Sequence, residues 1–201
     1  MDIKAVTKSL PLDMLEAAYR EGLFPMADTE AGVVTWHRPR RRAVLPLDGF
    51  HISRSLARTL RQRRFEVAFD QNFDAVMAAC ARSGEQGSWI SPEFRNVYGE
   101  MHRQGKAHSV EVLMDGLLAG GVYGVHLGGA FFAESMFHRV RDMSKVALAH
   151  LVERLRERGF RLLEVQYLTP YLKQFGVLEV PHEIYMQQLE AALKVQCEFL
   201  S

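Results

Sequence analysis

The spacing of apolar and polar positions changes along the chain. Helix-like patterns prevail up to Met101, and strand-like alternation takes over from His108. "LDMLEAAYREG" predicts a short amphipathic helix with Leu15, Ala18 and Tyr19 inward and Gly22 as its stop. "LFPM" then forces an extended turn, because Pro25 disfavours helix at the residue before it. "RRAVLPL" predicts an edge strand ended by Pro46. "SRSLARTLRQR" predicts a helix, "FEVAF" a strand, and "NFDAVMAACAR" a helix capped by Asn72. "GEQGSWISPEF" reads as a Gly84/Gly87 loop presenting Trp89, with Ser91-Pro92 opening the next helix. That helix sets Phe94, Val97, Tyr98 and Met101 on one face and stops at Gly105.

"HSVEVLM", "LLAGGVYGVH" and "AFFAESMF" predict three strands joined by hairpins at Asp115-Gly116 and Gly128-Gly129. A long helix follows over roughly Ser144 to Arg158, with Gly159 as terminator. "RLLEVQYL" predicts a further strand and "HEIYMQQLEAALK" a last helix. Two hairpins, a helix and a returning strand make an α+β core. One residue stands out in this pattern. Glu134 interrupts the apolar run "FFAESMF", and an unpaired buried carboxylate costs several kcal/mol, so it is either at a solvent-facing strand end or in use.

Composition adds limits. With 201 residues, 48% hydrophobic and 24% charged, the chain suits one large domain or a main domain with a smaller partner. Cys80 and Cys197 are isolated, which suggests neither a zinc site nor a disulfide framework. No carboxylate/histidine cluster has metal-ligand spacing, and no metal or cofactor is expected. The start lacks a signal-peptide pattern and no run of about 18 apolar residues occurs, so a cytoplasmic protein with no membrane contact is expected.

Charge is unevenly spread. Between Arg38 and Arg64 lie nine arginines (Arg38, Arg40, Arg41, Arg42, Arg54, Arg58, Arg61, Arg63 and Arg64) against the single acid Asp48. That segment is +8 and leaves −7 for the rest of a chain whose formal total is +1. Such a cluster fits either a solvated face or a phosphate backbone. Arginine's planar fork and the adjacent Trp36, placed to stack on a base, favour nucleic acid.

Several segments taken together resemble the leucyl/phenylalanyl-tRNA–protein transferase family. They are "YREGLFPM", "RAVLPLDGFHISRSL", "GSWISPEFRNVYGEMHRQGKAHSVEV", "LAGGVYGV", "FFAESMF" and "SKVALAHL", in order between Tyr19 and Tyr185. The resemblance implies transfer of leucine or phenylalanine from aminoacyl-tRNA to the N-terminal Arg or Lys of acceptor proteins, marking them for degradation. It also implies a GNAT-like acyltransferase core, expected over residues 65–201, behind a smaller basic N-terminal α/β domain over residues 1–64. A coenzyme A donor is disfavoured, because the strand-to-helix connection "HRVRDM" holds no glycine to cradle a pyrophosphate.

By resemblance, Glu164 and Gln166 take the family's paired catalytic positions, and two residues along a strand place both on one face. Glutamate stands there in place of the usual aspartate, and "TPY" (Thr169, Pro170, Tyr171) in place of an Asn-Asp-His type segment. Glu134 matches the glutamate that holds the free amino group of the aminoacyl moiety. Val122, Phe131, Leu151 and Leu163 match the side-chain pocket, and Trp36 and Trp89 match aromatic positions around the terminal adenine. The departures at Glu164 and "TPY" leave two alternatives: a tRNA-end or degron-binding protein with altered catalysis, or a transferase with a different amine acceptor.

Overall fold

The computed structural model describes residues 3–82 and 90–200. Its N-terminal part contains a sheet that the hydrophobic pattern does not announce. β1 (Ile3–Thr7) leads through α1 (Leu12–Arg20) to β2 (Phe24–Asp28) and β3 (Val33–His37), which pair antiparallel in the order β1-β3-β2. The expected extended turn at "LFPM" is therefore the start of a strand. Pro25 is tolerated because β2 is an edge of this small sheet.

A seven-stranded sheet forms the centre. Its strands are β4 (Arg41–Val44), β5 (Glu66–Phe69), β6 (Ala107–Met114), β7 (Leu117–Leu127), β8 (Ala130–His138), β9 (Leu162–Glu164) and β10 (Leu178–Pro181), ordered β10-β4-β9-β8-β7-β6-β5. Only β8 and β9 run parallel, and α5 (Met143–Glu157) is the crossover that a parallel pair requires. β4 is not an edge strand, as "RRAVLPL" suggested. It lies between β10 and β9, because Pro46 falls beyond the strand's last residue and removes no ladder donor. The chain thus enters the large sheet at Arg41, ahead of the boundary expected at residue 64.

Capping residues fix the helices around this sheet. Ser53 and Ser91 accept the backbone N–H groups of Leu56 and Phe94, opening α2 (Arg54–Gln62) and α4 (Pro92–Arg103), and Asn72 accepts from Ala75 at the start of α3 (Phe73–Arg82). The β6–β7 hairpin turns on Asp115 and Gly116, both with positive φ, as a two-residue primed turn needs. α5 and α2 cover one face of the large sheet, burying Leu56, Val122, Phe131, Val146, Leu151 and Leu163. α3, α4 and the N-terminal part cover the other, together with Tyr19, Phe94, Tyr98, Tyr123 and Phe132. α6 (Pro170–Lys173) and α7 (His182–Leu193) complete the described chain. The architecture is α+β, as expected. Among the described residues, no helix is long and apolar enough to cross a membrane.

Candidate active site

β8 carries an irregularity at its centre. Tyr123 pairs with Ser135 and Gly124 with Ala133, leaving Glu134 as the extra residue of a bulge. Gly124 makes the bulge possible, since a Cβ there would lie 2.3 Å from the Phe132 carbonyl oxygen. Glu134 faces the N-terminal part, on the same side as Phe132 two residues earlier, and its Oε1 accepts from the Tyr19 hydroxyl at 2.6 Å. Tyr19 in turn shares a 2.7 Å hydrogen bond with the Tyr98 hydroxyl. Glu134 is only 9% exposed, and burial pushes its carboxyl up to about 8. The Tyr19 hydrogen bond opposes that rise, the Glu164 charge adds to it, and Arg42 opposes it.

Glu134 and Gln166 line one cleft of about 90 Å³, together with Phe24, Pro25, Met26 and Tyr167. β8 and β9 pair only as far as Phe132 and Glu164, so the cleft lies beyond the point where the two parallel strands stop pairing. A larger groove of about 850 Å³ runs between the end of β4 and the end of α5. Its Asp48 and Arg156 are well exposed charges of opposite sign. The smaller cleft, with a buried carboxyl in its wall, is the better candidate for chemistry.

Glu164 does not stand beside Gln166 on one strand face. β9 ends at Glu164, and Gln166 follows in the left-handed region at φ 56°. The two are joined differently, because Glu164 Oε1 accepts the Gln166 backbone N–H at 2.5 Å. The same oxygen accepts Arg42 Nε at 2.8 Å, and both side chains of that ion pair are fully buried. The "TPY" departure builds a helix start. Thr169 Oγ1 accepts from Leu172 N–H, Pro170 is the first residue of α6, and the Tyr171 hydroxyl meets Ser144 Oγ at 3.0 Å.

Residues 44–190 match the family model for leucyl/phenylalanyl-tRNA protein transferase, and residues 9–40 match the model for that family's N-terminal domain. The chain belongs to this family. It is 52% identical over 183 residues to the leucyl/phenylalanyl-tRNA–protein transferase of Salinibacter ruber, covering 91% of this chain and 80% of that one. It is 48% identical to that of Chlorobium luteolum, covering 95% of this chain and 100% of that one. Among solved structures, FemX superposes with a TM-score of 0.55 at 13% identity, covering 84% of this chain and 66% of that one. That likeness shows the fold alone. The chain is an aminoacyltransferase that moves an aminoacyl group from tRNA to protein.

Within this transferase, the residues anticipated from sequence are not all together. Val122, Phe131, Leu151 and Leu163 lie in the closed core under α5, on the face of the sheet opposite Glu134. Strand alternation puts them there, and none of the four lines the cleft. Trp36 sits on β3 rather than in a loop. It is 2% exposed, and its indole N–H donates to Thr7 Oγ1 at 3.1 Å, so its ring packs the N-terminal core. Trp89 lies outside the described residues.

The arginine cluster divides in space. Arg54, Arg58 and Arg61 stand exposed at helical spacing on α2, with Arg63 and Arg64 exposed just beyond it. Arg38 donates to the Glu21 carbonyl, Arg40 is exposed, and Arg41 donates to the Glu179 carbonyl across the β4–β10 edge. Arg42 has no exposed surface and cannot meet a phosphate in this arrangement. Tyr19 and Tyr98 are partners that the sequence pattern hides, because both fall on helix core faces. The available signal was chemical: a buried tyrosine hydroxyl needs a hydrogen-bond partner. His108 holds Asp70 at 2.6 Å and Ser109 Oγ donates to Glu111, hydrogen-bonding roles away from the cleft.

Proposed function

We propose that the Glu134–Gln166 cleft holds the aminoacyl end of leucyl- or phenylalanyl-tRNA for transfer to proteins beginning with Arg or Lys, marking them for degradation. The observation that carries this reading is the buried carboxyl of Glu134 facing a shared cleft with Gln166. A carboxyl raised to about 8 is mostly protonated near neutrality. An ammonium arriving beside it lowers that value and forms a charge-assisted hydrogen bond. Glu134 thus grips the donor's amino group, while Gln166 aligns the acceptor's α-amine on the ester carbonyl. An N–C bond forms, the ester C–O bond breaks, and the amine's proton leaves with the ribose oxygen. The ester is already activated, so alignment supplies most of the acceleration.

The resemblance assigns the donor's side chain to Val122, Phe131, Leu151 and Leu163, the apolar residues buried under α5. Leucine and phenylalanine differ there by contacts of only about 1–3 kcal/mol per methylene, which lets one adaptable pocket serve both. The exposed arginines of α2 supply sequence-tolerant phosphate contacts to the tRNA.

The test is transfer of labelled leucine or phenylalanine from charged tRNA to peptides beginning with Arg, Lys, Asp or Ala. Transfer to the Arg and Lys peptides alone is expected. Transfer confined to Asp or Ala peptides would establish a different acceptor class. Glu134→Ala is expected to abolish transfer and keep a cooperative melt. A folded and active Glu134→Ala protein would remove this residue from the mechanism.

A further inference from the structure

Arg42 is among the largest side chains with no exposed surface, and its hydrogen bonds reach the segments that lead into both walls of the cleft. On one side its Nη1 donates to the Gly22 carbonyl at 2.7 Å. Gly22 closes α1 with φ +70° and leads within two residues to Phe24, Pro25 and Met26, which form one wall. Its positive φ is what favours glycine at this position. On the other side Nε donates to Glu164 Oε1, the oxygen that also accepts the Gln166 N–H. Those two bonds hold Gln166 at φ 56°, a conformation that a non-glycine residue adopts only when its surroundings enforce it. Gln166 and Tyr167 belong to the opposite wall. The rings of Phe24 and Tyr185 each lie 4.7 Å from the guanidinium carbon and fix its plane.

Burial of this pair has an energetic meaning. A buried salt bridge is often no more stabilising than a well-packed apolar pair, so its presence calls for a role in geometry. The fork of arginine can donate in two fixed directions at once, which the single ammonium of lysine cannot reproduce.

We propose that Arg42 is a positioning residue for aminoacyl transfer, joining the Phe24–Met26 wall through Gly22 to the Gln166 turn through Glu164. One guanidinium then sets the width of the cleft and the direction in which Gln166 faces Glu134. Glu164 acts as the link in this chain, with its Oε1 occupied by two donors. The inference rests on the cleft being the transfer site.

The experiment compares the full-length protein with Arg42→Lys, Glu164→Gln and the double variant. It measures transfer to an Arg peptide, thermal midpoint, and aminoacyl-tRNA affinity across a salt series. Arg42→Lys is expected to lower kcat by about 10²-fold, the scale of a small misplacement of reacting groups. KM for aminoacyl-tRNA and the salt slope of binding are expected to stay as in the unmodified protein. Glu164→Gln is expected to show a similar loss. The double variant is expected to match the worse single variant within about twofold, because both changes break one link.

Losses that multiply in the double variant would overturn the proposal, as would a folded Arg42→Lys protein with undiminished kcat. A shallower salt slope in Arg42→Lys would assign Arg42 to tRNA phosphate and also overturn it. If Arg42→Lys does not melt cooperatively, Glu164→Gln decides: a folded protein with normal kcat defeats the proposed link. Glu134→Ala separates the two readings. An active Glu134→Ala protein defeats the cleft itself, whereas an inactive one beside a normal Arg42→Lys protein defeats only the positioning role.

Discussion

A carboxyl removed from water needs a donor, a proton or a cation, and Glu134 has access to each in turn. Tyr19 supplies the donor, its raised proton affinity supplies the proton, and the proposed substrate ammonium supplies the cation. The sign of the resulting pH dependence follows from linkage. The folded carboxyl sits at about 8, above its ordinary value, so the folded state holds a proton that the unfolded chain has already released. Its contribution to stability is complete below the ordinary carboxylate range and is lost as pH rises toward 8. The slope in that window is about 1.4 kcal/mol per pH unit for a single such group. Glu134→Gln keeps an acceptor for Tyr19 and has no proton to lose. Its melting temperature is therefore expected to fall less than that of the unmodified protein between pH 5 and pH 8. Parallel melting curves over that range would refute the shifted carboxyl. Glu134 was legible in the sequence because an acid inside "FFAESMF" has few innocent explanations. Arg42 was not, because its neighbours Arg40 and Arg41 are exposed and nothing in "RPRRRAV" marks which arginine the strand turns inward.

At the scale of elements, regular periodicity was readable and local irregularity was not. The three-strand meander, α5 and α7 follow from turn residues and spacing. By contrast, "IKAVT", "FPMAD" and "VVTWH" are five-residue strands with little alternation, and their pairing with one another is what makes them strands. The shortness of β9 hid the site more directly. Two-residue spacing suggested a shared strand face for Glu164 and Gln166, whereas a left-handed turn and a side-chain hydrogen bond join them. The bulge in β8 depends on Gly124, whose added methyl would press on the Phe132 carbonyl and the Phe131 ring. Gly124→Ala is expected to cost about 1–3 kcal/mol by overpacking. It is also expected to lower transfer activity in the protein that remains folded, since moving the bulge re-aims Glu134. Chemical denaturation alongside single-turnover transfer measures both, and full activity in the folded fraction would detach the bulge from the site.

The whole molecule places its charge and its cleft on different elements. The cleft lies between the small N-terminal sheet and the point where β8 and β9 stop pairing, bound together by Tyr19, by Arg42 and by the Lys106–Glu16 ion pair between α1 and the turn into β6. The exposed arginines of α2 lie on the α5 face. A tRNA whose acceptor end reaches the cleft and whose backbone runs along α2 would use both surfaces at once. Affinity would then depend on α2 and chemistry on the cleft. Changing Arg54, Arg58 and Arg61 together to alanine is expected to weaken aminoacyl-tRNA binding at low salt. For each phosphate that the variant no longer neutralises, the log–log salt dependence should flatten by about 0.7–0.9 in slope. Single-turnover transfer at saturating tRNA should remain close to that of the unmodified protein, because none of the three side chains belongs to the cleft. Nucleic-acid titrations across a salt series give the slope, and rapid-quench transfer gives the rate. An unchanged slope in the triple variant would mean that α2 is merely a solvated basic face and that the tRNA lies elsewhere.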